Sequence, residues 1–171
     1  MELIQALDFI YLYKIEGETG NAWKVANLTE GSTTESRAFD TVPTKDGAKK
    51  TPGAYEGSNS FSSLLGKGDP SIAKLKGLVR KANPEKLLVW GIDRTDIGEE
   101  TTLPGEFSRN VVTSVDTSAG SEGNVEISFE TEVEGTVIDG EVNVTPALLE
   151  ILQLIKDEQA FLQPTESEEG E

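Results

Sequence analysis

The chain contains no cysteine and no histidine, and these two absences remove several classes of protein at once. Without cysteine there is no disulfide, no thiolate nucleophile and no cysteine-bound zinc or iron–sulfur cluster. Without histidine there is no Ser–His–Asp triad, no imidazole metal site and no histidine proton shuttle. Carboxylates, lysine, serine, threonine and tyrosine are the side chains left for catalysis, so the usual chemistry of soluble hydrolases is excluded.

Long hydrophobic runs are also absent. No stretch approaches the ~20 apolar residues that span a bilayer. The apolar residues near the N-terminus are interrupted by Glu2 and Asp8 and follow no basic segment, which argues against a signal peptide. We therefore expect a protein that is made in a cytoplasm and has no membrane partner.

Positive charge is scarce. The 171 residues include 15 lysines and arginines against 31 aspartates and glutamates, giving a formal net charge of −16. Such a chain is repelled by a phosphate backbone, so we do not expect it to wrap nucleic acid. A chain of 171 residues is expected to fold around a single hydrophobic core. We assign residues 1–163 to a single domain and residues 164–171, of which half are glutamate, to a flexible acidic tail.

Hydrophobic periodicity predicts a mainly β protein. Strands are predicted at 7–15, 22–28, 86–92, 107–115 and 125–133, followed by a hairpin of 136–138 and 141–144 around Asp139-Gly140. A helix is predicted at 69–82, with Asp69 as N-cap and Pro70 in its first turn, and a short C-terminal helix from Pro146 to about Gln159. The expected fold is an antiparallel β-sandwich or partial barrel with one flanking α-helix and a long extended loop.

That long loop covers residues 29–63 and is rich in glycine, serine, threonine, lysine and proline. Structureless loops beyond about 12–15 residues are uncommon in compact domains. The segment is therefore either disordered or a functional arm. Ser36–Val42 and Tyr55–Leu65 are expected to pair as an extended hairpin, with Thr44–Gly53 at its tip.

One predicted strand carries an unusual row of carboxylates. Apolar and acidic residues alternate through 125–134, which places four glutamates on one face: Glu126, Glu130, Glu132 and Glu134. Any half-buried strand gives such alternation, but stacked like charges also repel one another. Beyond Arg109 there are 15 acidic residues and one basic residue, Lys156. This polarity favours either self-assembly of basic against acidic surfaces or the presentation of a negative wall.

Two weaker patterns point to ordinary local structure. Gly66–Ser71 opens the predicted helix but lacks the P-loop spacing, so a turn and helix cap is the better interpretation. The acidic loop with Asp93, Asp96, Glu99 and Glu100 misses the spacing of an EF-hand, although a calcium site there is conceivable. We predict no catalytic residue, no metal site and no cofactor.

Several short segments, in order, resemble the major tail proteins, or tail tube proteins, of siphophages with long non-contractile tails that infect Gram-positive hosts. The resemblance covers about residues 7–155. It rests on DFIYLYK (8–14), ESRAFDT (35–41), TKDGAKKTPG (44–53), GKGD (66–69), LLVWGID (87–93), SEGNVEISFETEVEG (121–135) and a DGEV…TPALLE ending.

The resemblance implies a structural virion protein of the phage tail and not an enzyme. Its expected partners are copies of itself, in hexameric rings stacked into a tube, and the tape measure, tail-terminator and tail-tip proteins. Neighbouring subunits would join their strands into one barrel, and DNA would pass through the lumen without specific binding. Some members append a surface domain, and none is expected here.

Two sets of functional residues follow from this resemblance. The four glutamates named above are predicted to line the lumen, since carboxylates repel DNA. The long loop is predicted to reach the adjacent ring through its tip, which contains Lys45, Asp46, Gly47, Lys49, Lys50, Pro52 and Gly53.

Three other functions fit parts of the sequence. A β-sandwich adhesin module that binds sugar or a host surface would need exposed aromatics or a metal site. A tube protein of the type VI secretion kind would share the architecture but not the long loop. A glycosidase with a carboxylate pair needs no histidine, but no pocket signal accompanies any Asp/Glu pair.

Overall fold

The computed structural model describes residues 2–25, 27–97 and 101–148. A 3-10 turn (Ala6–Asp8) precedes the first strand, and one α-helix, α1 (Pro70–Arg80), lies midway along the chain. The strands are β1 (Phe9–Ile15), β2 (Leu28–Thr44), β3 (Gly47–Leu64), β4 (Leu87–Asp93), β5 (Thr102–Ser118) and β6 (Glu126–Asn143). They form one antiparallel sheet in the order β1-β4-β5-β6-β3-β2, which confirms the mainly β prediction.

The sheet curls over its own core without closing. In a flat sheet, four inter-strand steps would separate β1 from β3 by about 19 Å. Instead, the Tyr13 ring of β1 lies 5.2 Å from the Phe61 ring of β3 and 5.7 Å from the Phe129 ring of β6. These aromatic residues are fully buried and fill the concave side of the sheet. The curl therefore turns different parts of the convex face in different directions.

Helix α1 packs on this core as its sequence predicts. The Asp69 carboxylate accepts a hydrogen bond from the Ser71 backbone N–H at 3.0 Å, and Pro70 is the first helical residue. Ile72, Leu75 and Leu78 recur at helical spacing and are buried in the same cluster as Tyr13. The predicted helix at 69–82 is confirmed, although it ends two residues earlier, at Arg80.

A buried polar network ties four strands together inside this core. The Asn59 side-chain amide donates to the side-chain oxygen Oδ1 of Asn110 at 2.8 Å. The Thr131 hydroxyl donates to the same Oδ1 at 3.0 Å. The Asn110 amide donates to the Ser108 hydroxyl at 2.8 Å, and the Thr33 hydroxyl donates to Asn59 at 2.7 Å. Because these residues lie on β2, β3, β5 and β6, the network fixes how those strands align.

The predicted strand at 22–28 is wrong. Only Trp23 pairs with β1, through two backbone hydrogen bonds of 2.7 Å to Tyr13. The pairing ends there because Val25 turns into the core and Asn27 has φ of +56°, a left-handed conformation that interrupts an extended chain. The next strand begins only at Leu28.

The predicted hairpin turn at Asp139-Gly140 is also wrong, since β6 runs through it without a break. Asp139 pairs with Glu106 and Gly140 with Gly105, so β5 extends further than predicted to meet it. The irregularity lies earlier, at Gly135, whose φ is +79°. There the register shifts between Arg109–Glu134 and Phe107–Ile138, which is a β-bulge rather than a turn.

The predicted C-terminal helix falls mostly outside the described residues. Residues 146–148 are helical, and the Thr145 hydroxyl accepts a hydrogen bond from the Leu148 N–H at 3.2 Å, as a helix N-cap does. The remainder of that helix and the tail at 164–171 lie beyond the described part of the chain.

Candidate functional site

The glutamates of β6 lie on the convex face of the sheet. Glu126, Glu130 and Glu132 are exposed, whereas Ile127 and Phe129 between them are buried in the core. The strand alternates as its sequence predicts, because successive side chains of a strand point to opposite faces.

Three of these glutamates each have a serine as one cross-strand partner, while Leu64 and Val111 are the other partners of Glu126 and Glu132. Ser60 of β3 is the cross-strand partner of Glu130, and Ser58 is the partner of Glu132. On the other side of β6, Ser118 of β5 is the partner of Glu126. We name Glu126, Glu130 and Glu132 with these serine partners the carboxylate face. These cross-strand partners include no lysine or arginine, so they leave its negative charge uncompensated.

Glu134 lies on the same strand but in a different environment. The Lys86 ammonium lies 2.8 Å from its carboxylate, and Arg109 is its cross-strand partner. The hydrogen bond from Lys86 lowers the pKa of Glu134, and the charges of Lys86 and Arg109 add to this effect. Glu134 therefore marks the end of the carboxylate face, where the charge is neutralised.

The long loop is a two-stranded hairpin that extends beyond the sheet. β3 pairs with β6 only over Ser58–Leu64, whereas its pairing with β2 continues to Thr44–Gly47. Residues 36–55, here named the arm, thus pair only with each other. Nine extended residues in each direction give the arm a length of about 30 Å. The expectation of a hairpin is confirmed, but its expected pairing is wrong: Ser36–Val42 pairs with Lys49–Glu56, and the turn lies between Thr44 and Gly47.

Glycines shape the arm at two points. Gly47 closes the tip with φ of +117°, a conformation that side chains rarely adopt. A Cβ on Gly53 would lie 2.9 Å from the Ala38 backbone oxygen of the facing strand. The Gly53 carbonyl also accepts a 2.9 Å hydrogen bond from the Arg37 guanidinium. The other predicted tip residues are exposed: Lys45, Asp46, Lys49, Lys50 and Pro52.

At the root of the arm, Tyr55 joins it to the sheet. Its hydroxyl donates to the Glu35 carboxylate at 2.7 Å and accepts from the Val137 backbone N–H at 3.3 Å. Glu106 of β5 is close to the same place. Partial burial raises the pKa of Glu106, and the negative charges of Asp139 and Glu35 raise it further. The root of the arm therefore lies beside a cluster of three carboxylates, those of Glu35, Glu106 and Asp139.

Comparison with known proteins shows the family to which the chain belongs. A family model described as phage tail tube protein matches residues 4–139. The chain belongs to the phage tail tube protein family. It is thus a structural protein of the phage virion, as the resemblance in the sequence indicates.

Individual tail tube relatives agree with this assignment. The tail tube protein of Bacillus phage SPP1 is 29% identical over 163 residues, which are 94% of this chain and 60% of that protein. The chain thus spans about 60% of the length of this curated relative. The solved SPP1 tail tube has a TM-score of 0.74 at 20% identity, covering 99% of this chain and 96% of that chain.

More distant tubes share the tail tube fold. A chain from the tail of a gene transfer agent particle, refined with C6 symmetry, has a TM-score of 0.59 at 13% identity and covers 80% of this chain and 98% of that chain. A chain from the sheath–tube complex of an extracellular contractile injection system has a TM-score of 0.60 at 15% identity, covering 82% and 93%.

The tail tube chain also has two exposed apolar residues that sequence reasoning missed. Phe39 and Val42 lie on the arm and are 59% and 47% exposed. The signal that could have identified Phe39 is an aromatic residue in an otherwise polar, glycine-rich segment. The arm therefore carries exposed apolar side chains as well as an excess of basic residues.

The remaining predicted features of this tail tube protein are local. The Asp69 carboxylate caps the N-terminus of α1, as expected if Gly66–Ser71 is a turn and helix cap. Asp93 accepts a hydrogen bond from the Thr95 N–H at 3.0 Å, while Glu99 and Glu100 of the same acidic loop lie outside the described residues. Over residues 2–25, 27–97 and 101–148, no acidic cluster could hold a metal ion and no helix could cross a bilayer.

Proposed function

We propose that the protein assembles as hexameric rings that stack into the tail tube, and that DNA passes through this tube during ejection. The observation that carries the proposal is a sheet that curls without closing and bears an uncompensated carboxylate face on its convex side. Joining sheets around a ring removes their open edges, which are otherwise prone to aggregation. The C6 symmetry of the related gene transfer agent tail supports six copies.

In this tube the carboxylate face lines the lumen. Counterion release drives DNA binding only where lysine or arginine neutralises phosphates. Glu126, Glu130 and Glu132, each with a serine among its cross-strand partners, present an acidic wall that repels phosphate instead. Glu134, paired with Lys86, forms the margin of that wall.

The arm reaches the adjacent ring. An isolated two-stranded hairpin is marginally stable in water, so a hairpin about 30 Å long gains from packing against another subunit. Its tip carries Lys45, Lys49 and Lys50, which favour an acidic receiving surface. The other partners of the tube are the tape measure, tail-terminator and tail-tip proteins.

We assign no catalytic role to these carboxylates. A glycosidase pair acts inside a cleft that holds a sugar, whereas Glu126, Glu130 and Glu132 stand on an exposed convex face.

Electron microscopy of the concentrated protein tests the proposal. We expect negatively stained preparations to contain hollow tubes with six-fold end views. Particles that stay monomeric at every concentration, or closed globular oligomers without a channel, would contradict it.

A further inference from the structure

An apolar row crosses four strands on the convex side of the sheet, away from the carboxylate face. Leu12, Trp90, Phe107 and Ile138 are successive cross-strand partners on β1, β4, β5 and β6, so their side chains share one face. The rings of Trp90 and Phe107 lie 5.4 Å apart. Leu12 is buried, the two rings are half-buried, and Ile138 at the end of the row is 59% exposed. We name these four residues the apolar row.

The exposed end of the apolar row coincides with an open strand edge. Pairing between β3 and β6 stops at Ser58–Glu132, so within the described residues the rest of β6 has no strand on that side. Soluble proteins usually protect such an edge with lysine or proline. Residues 133–143 contain neither. This edge with Ile138 therefore has the character of a surface that another chain covers.

The arm complements this surface in shape and polarity. Phe39 is cross-strand partner to Pro52, so the two form an apolar patch on one face of the hairpin. Val42 lies on the opposite face, because it is three positions from Phe39 and successive side chains of a strand alternate between faces. The narrow hairpin also presents its own backbone edges, which can pair with an unpaired strand.

Charge also matches the arm to the apolar row. Residues 36–55 contain four basic and two acidic residues, although the whole chain has a net charge of −16. Residues 133–143 contain no basic residue, and besides Glu134, which Lys86 neutralises, they contain Asp139 and Glu141. Asp139 and its partner Glu106 alternate with Ile138 and Phe107, so these two carboxylates lie on the other face of the sheet from the apolar row. A basic arm is therefore attracted to this part of β6.

We propose that the arm of one copy docks with Phe39 on the apolar row of another copy, beside the open edge of β6. This inference rests on the proposed tube, in which the arm reaches a neighbouring subunit. It assigns the receiving surface, with Trp90, Phe107 and Ile138 as its floor beside the open edge of β6.

Two other grooves fit the arm less well. The groove beside α1, of about 760 Å³, is lined by Lys67, Lys76 and Arg80 and repels a basic arm. The groove between the starts of β1 and β2, of about 360 Å³, is apolar and includes Leu7, but Glu30 is the one acidic residue in its lining. The apolar row combines an exposed apolar residue with an open strand edge that contains Asp139 and Glu141.

Because the chain has no cysteine, engineered thiols test this contact cleanly. A Phe39→Cys chain and an Ile138→Cys chain, distinguished by a mass tag, are mixed, polymerised and oxidised. We expect a disulfide-linked heterodimer that disappears with reductant and does not form in dilute unassembled protein. Val42→Cys mixed with Ile138→Cys is the matched control, and we expect it to cross-link at least severalfold less.

The competing groove is tested in the same experiment with Leu7→Cys. Cross-linking of Phe39→Cys to Leu7→Cys instead of Ile138→Cys would overturn the inference. Tubes that assemble normally from the Phe39→Cys and Ile138→Cys chains without forming the cross-link would also overturn it and leave the proposed tube intact. If the unmodified protein forms no tubes, it is the proposed function that fails.

A substitution at the apolar row gives an independent measurement. Ile138→Ser is expected to raise the critical concentration for polymerisation by about tenfold, since truncation of a buried interface anchor has effects of this size. Thr136→Ser, on the same strand and exposed, is the control. An unchanged critical concentration for a folded Ile138→Ser chain would contradict the docking.

Discussion

At the scale of single residues, the buried amide of Asn110 is the most constrained polar group of the core. It is fully buried and accepts hydrogen bonds from both Asn59 and Thr131. Asn110→Ala leaves these donors without that acceptor, and an unsatisfied buried group costs about 1–3 kcal/mol. We expect the free energy of unfolding to fall by about 2–4 kcal/mol, measured as a lower urea midpoint. Asn124→Ala, at an exposed position, is the control, and an equal midpoint for both variants would refute the expectation.

A second residue-scale prediction concerns Glu106. Burial, followed by the charges of Asp139 and Glu35, raises its pKa in the folded protein. The folded state therefore holds the proton more tightly than the unfolded state, and stability falls as the pH rises through the raised pKa. Glu106→Gln should stabilise the protein at neutral pH by a few tenths of a kcal/mol, because solvent screens this partly exposed group. Thermal unfolding measures the difference.

This gain should vanish at acidic pH, below the ordinary pKa of glutamate, where both proteins are neutral at this position. Glu130→Gln, on the carboxylate face, serves as the comparison away from the root of the arm. A gain that is the same at neutral and acidic pH would show that packing, and not charge, is responsible.

The sequence predicts some of these residue-scale features and not others. The four glutamates of β6 share a strand as predicted, because period-two alternation is a local property. The buried network escapes prediction, since Asn59 and Asn110 are separated by 51 positions and meet only when β3 and β5 flank β6. Phe39 is visible in the sequence, but only the structure shows that it is 59% exposed on a hairpin whose strands pair with each other, among the residues that the structure describes.

At the scale of elements, α1 is determined by local sequence, whereas the extent of β6 is determined by its long-range pairing with β5. Asp69 and Pro70 determine the start of α1 locally, and the prediction succeeds. The Asp139-Gly140 turn signal fails because β5 supplies partners on both sides of it, and tertiary pairing overrides a local preference. Likewise, Trp23 makes one bridge with β1 and does not continue as a strand, since Val25 is drawn into the core.

The arm is the element whose removal is most informative. Asp40 and Thr51 are cross-strand partners, so residues 41–50 can be replaced by an Asn-Gly turn without disturbing the register below them. Because these residues pair only with each other, we expect a folded monomer with nearly unchanged circular dichroism and thermal midpoint. It should form no tubes in electron micrographs. Tubes of ordinary length from the shortened chain would exclude a role of the arm in polymerisation.

A matched variant separates charge from length. Lys45, Lys49 and Lys50 replaced by serine keep the hairpin but remove its excess positive charge. If attraction to acidic residues contributes, polymerisation of the intact protein should weaken as salt rises, and the serine variant should depend less on salt. Equal salt dependence for both chains would assign the contact to apolar packing alone.

At the scale of the whole molecule, the distribution of charge explains how one chain can both attract its copies and repel DNA. The basic residues of the arm stand apart from Glu126, Glu130 and Glu132, and Lys86 and Arg109 pair with Glu134 and Glu16 at the margin. The curl of the sheet turns the carboxylate face away from the apolar row, so the surface proposed for DNA passage and the surface proposed for docking can coexist on one convex side. Neither requires an enclosed pocket.

The carboxylate face supplies the last prediction. Replacing Glu126, Glu130 and Glu132 together by lysine converts a repelling wall into one that neutralises phosphates, whereas replacement by glutamine removes the charge without creating attraction. Glu134 is left unchanged because Lys86 already pairs with it. We expect lysine tubes to retain short DNA at low salt and to release it as salt rises, and phage with these tubes to eject DNA slowly. Glutamine tubes should retain none, and normal ejection from the lysine phage would place this face outside the lumen.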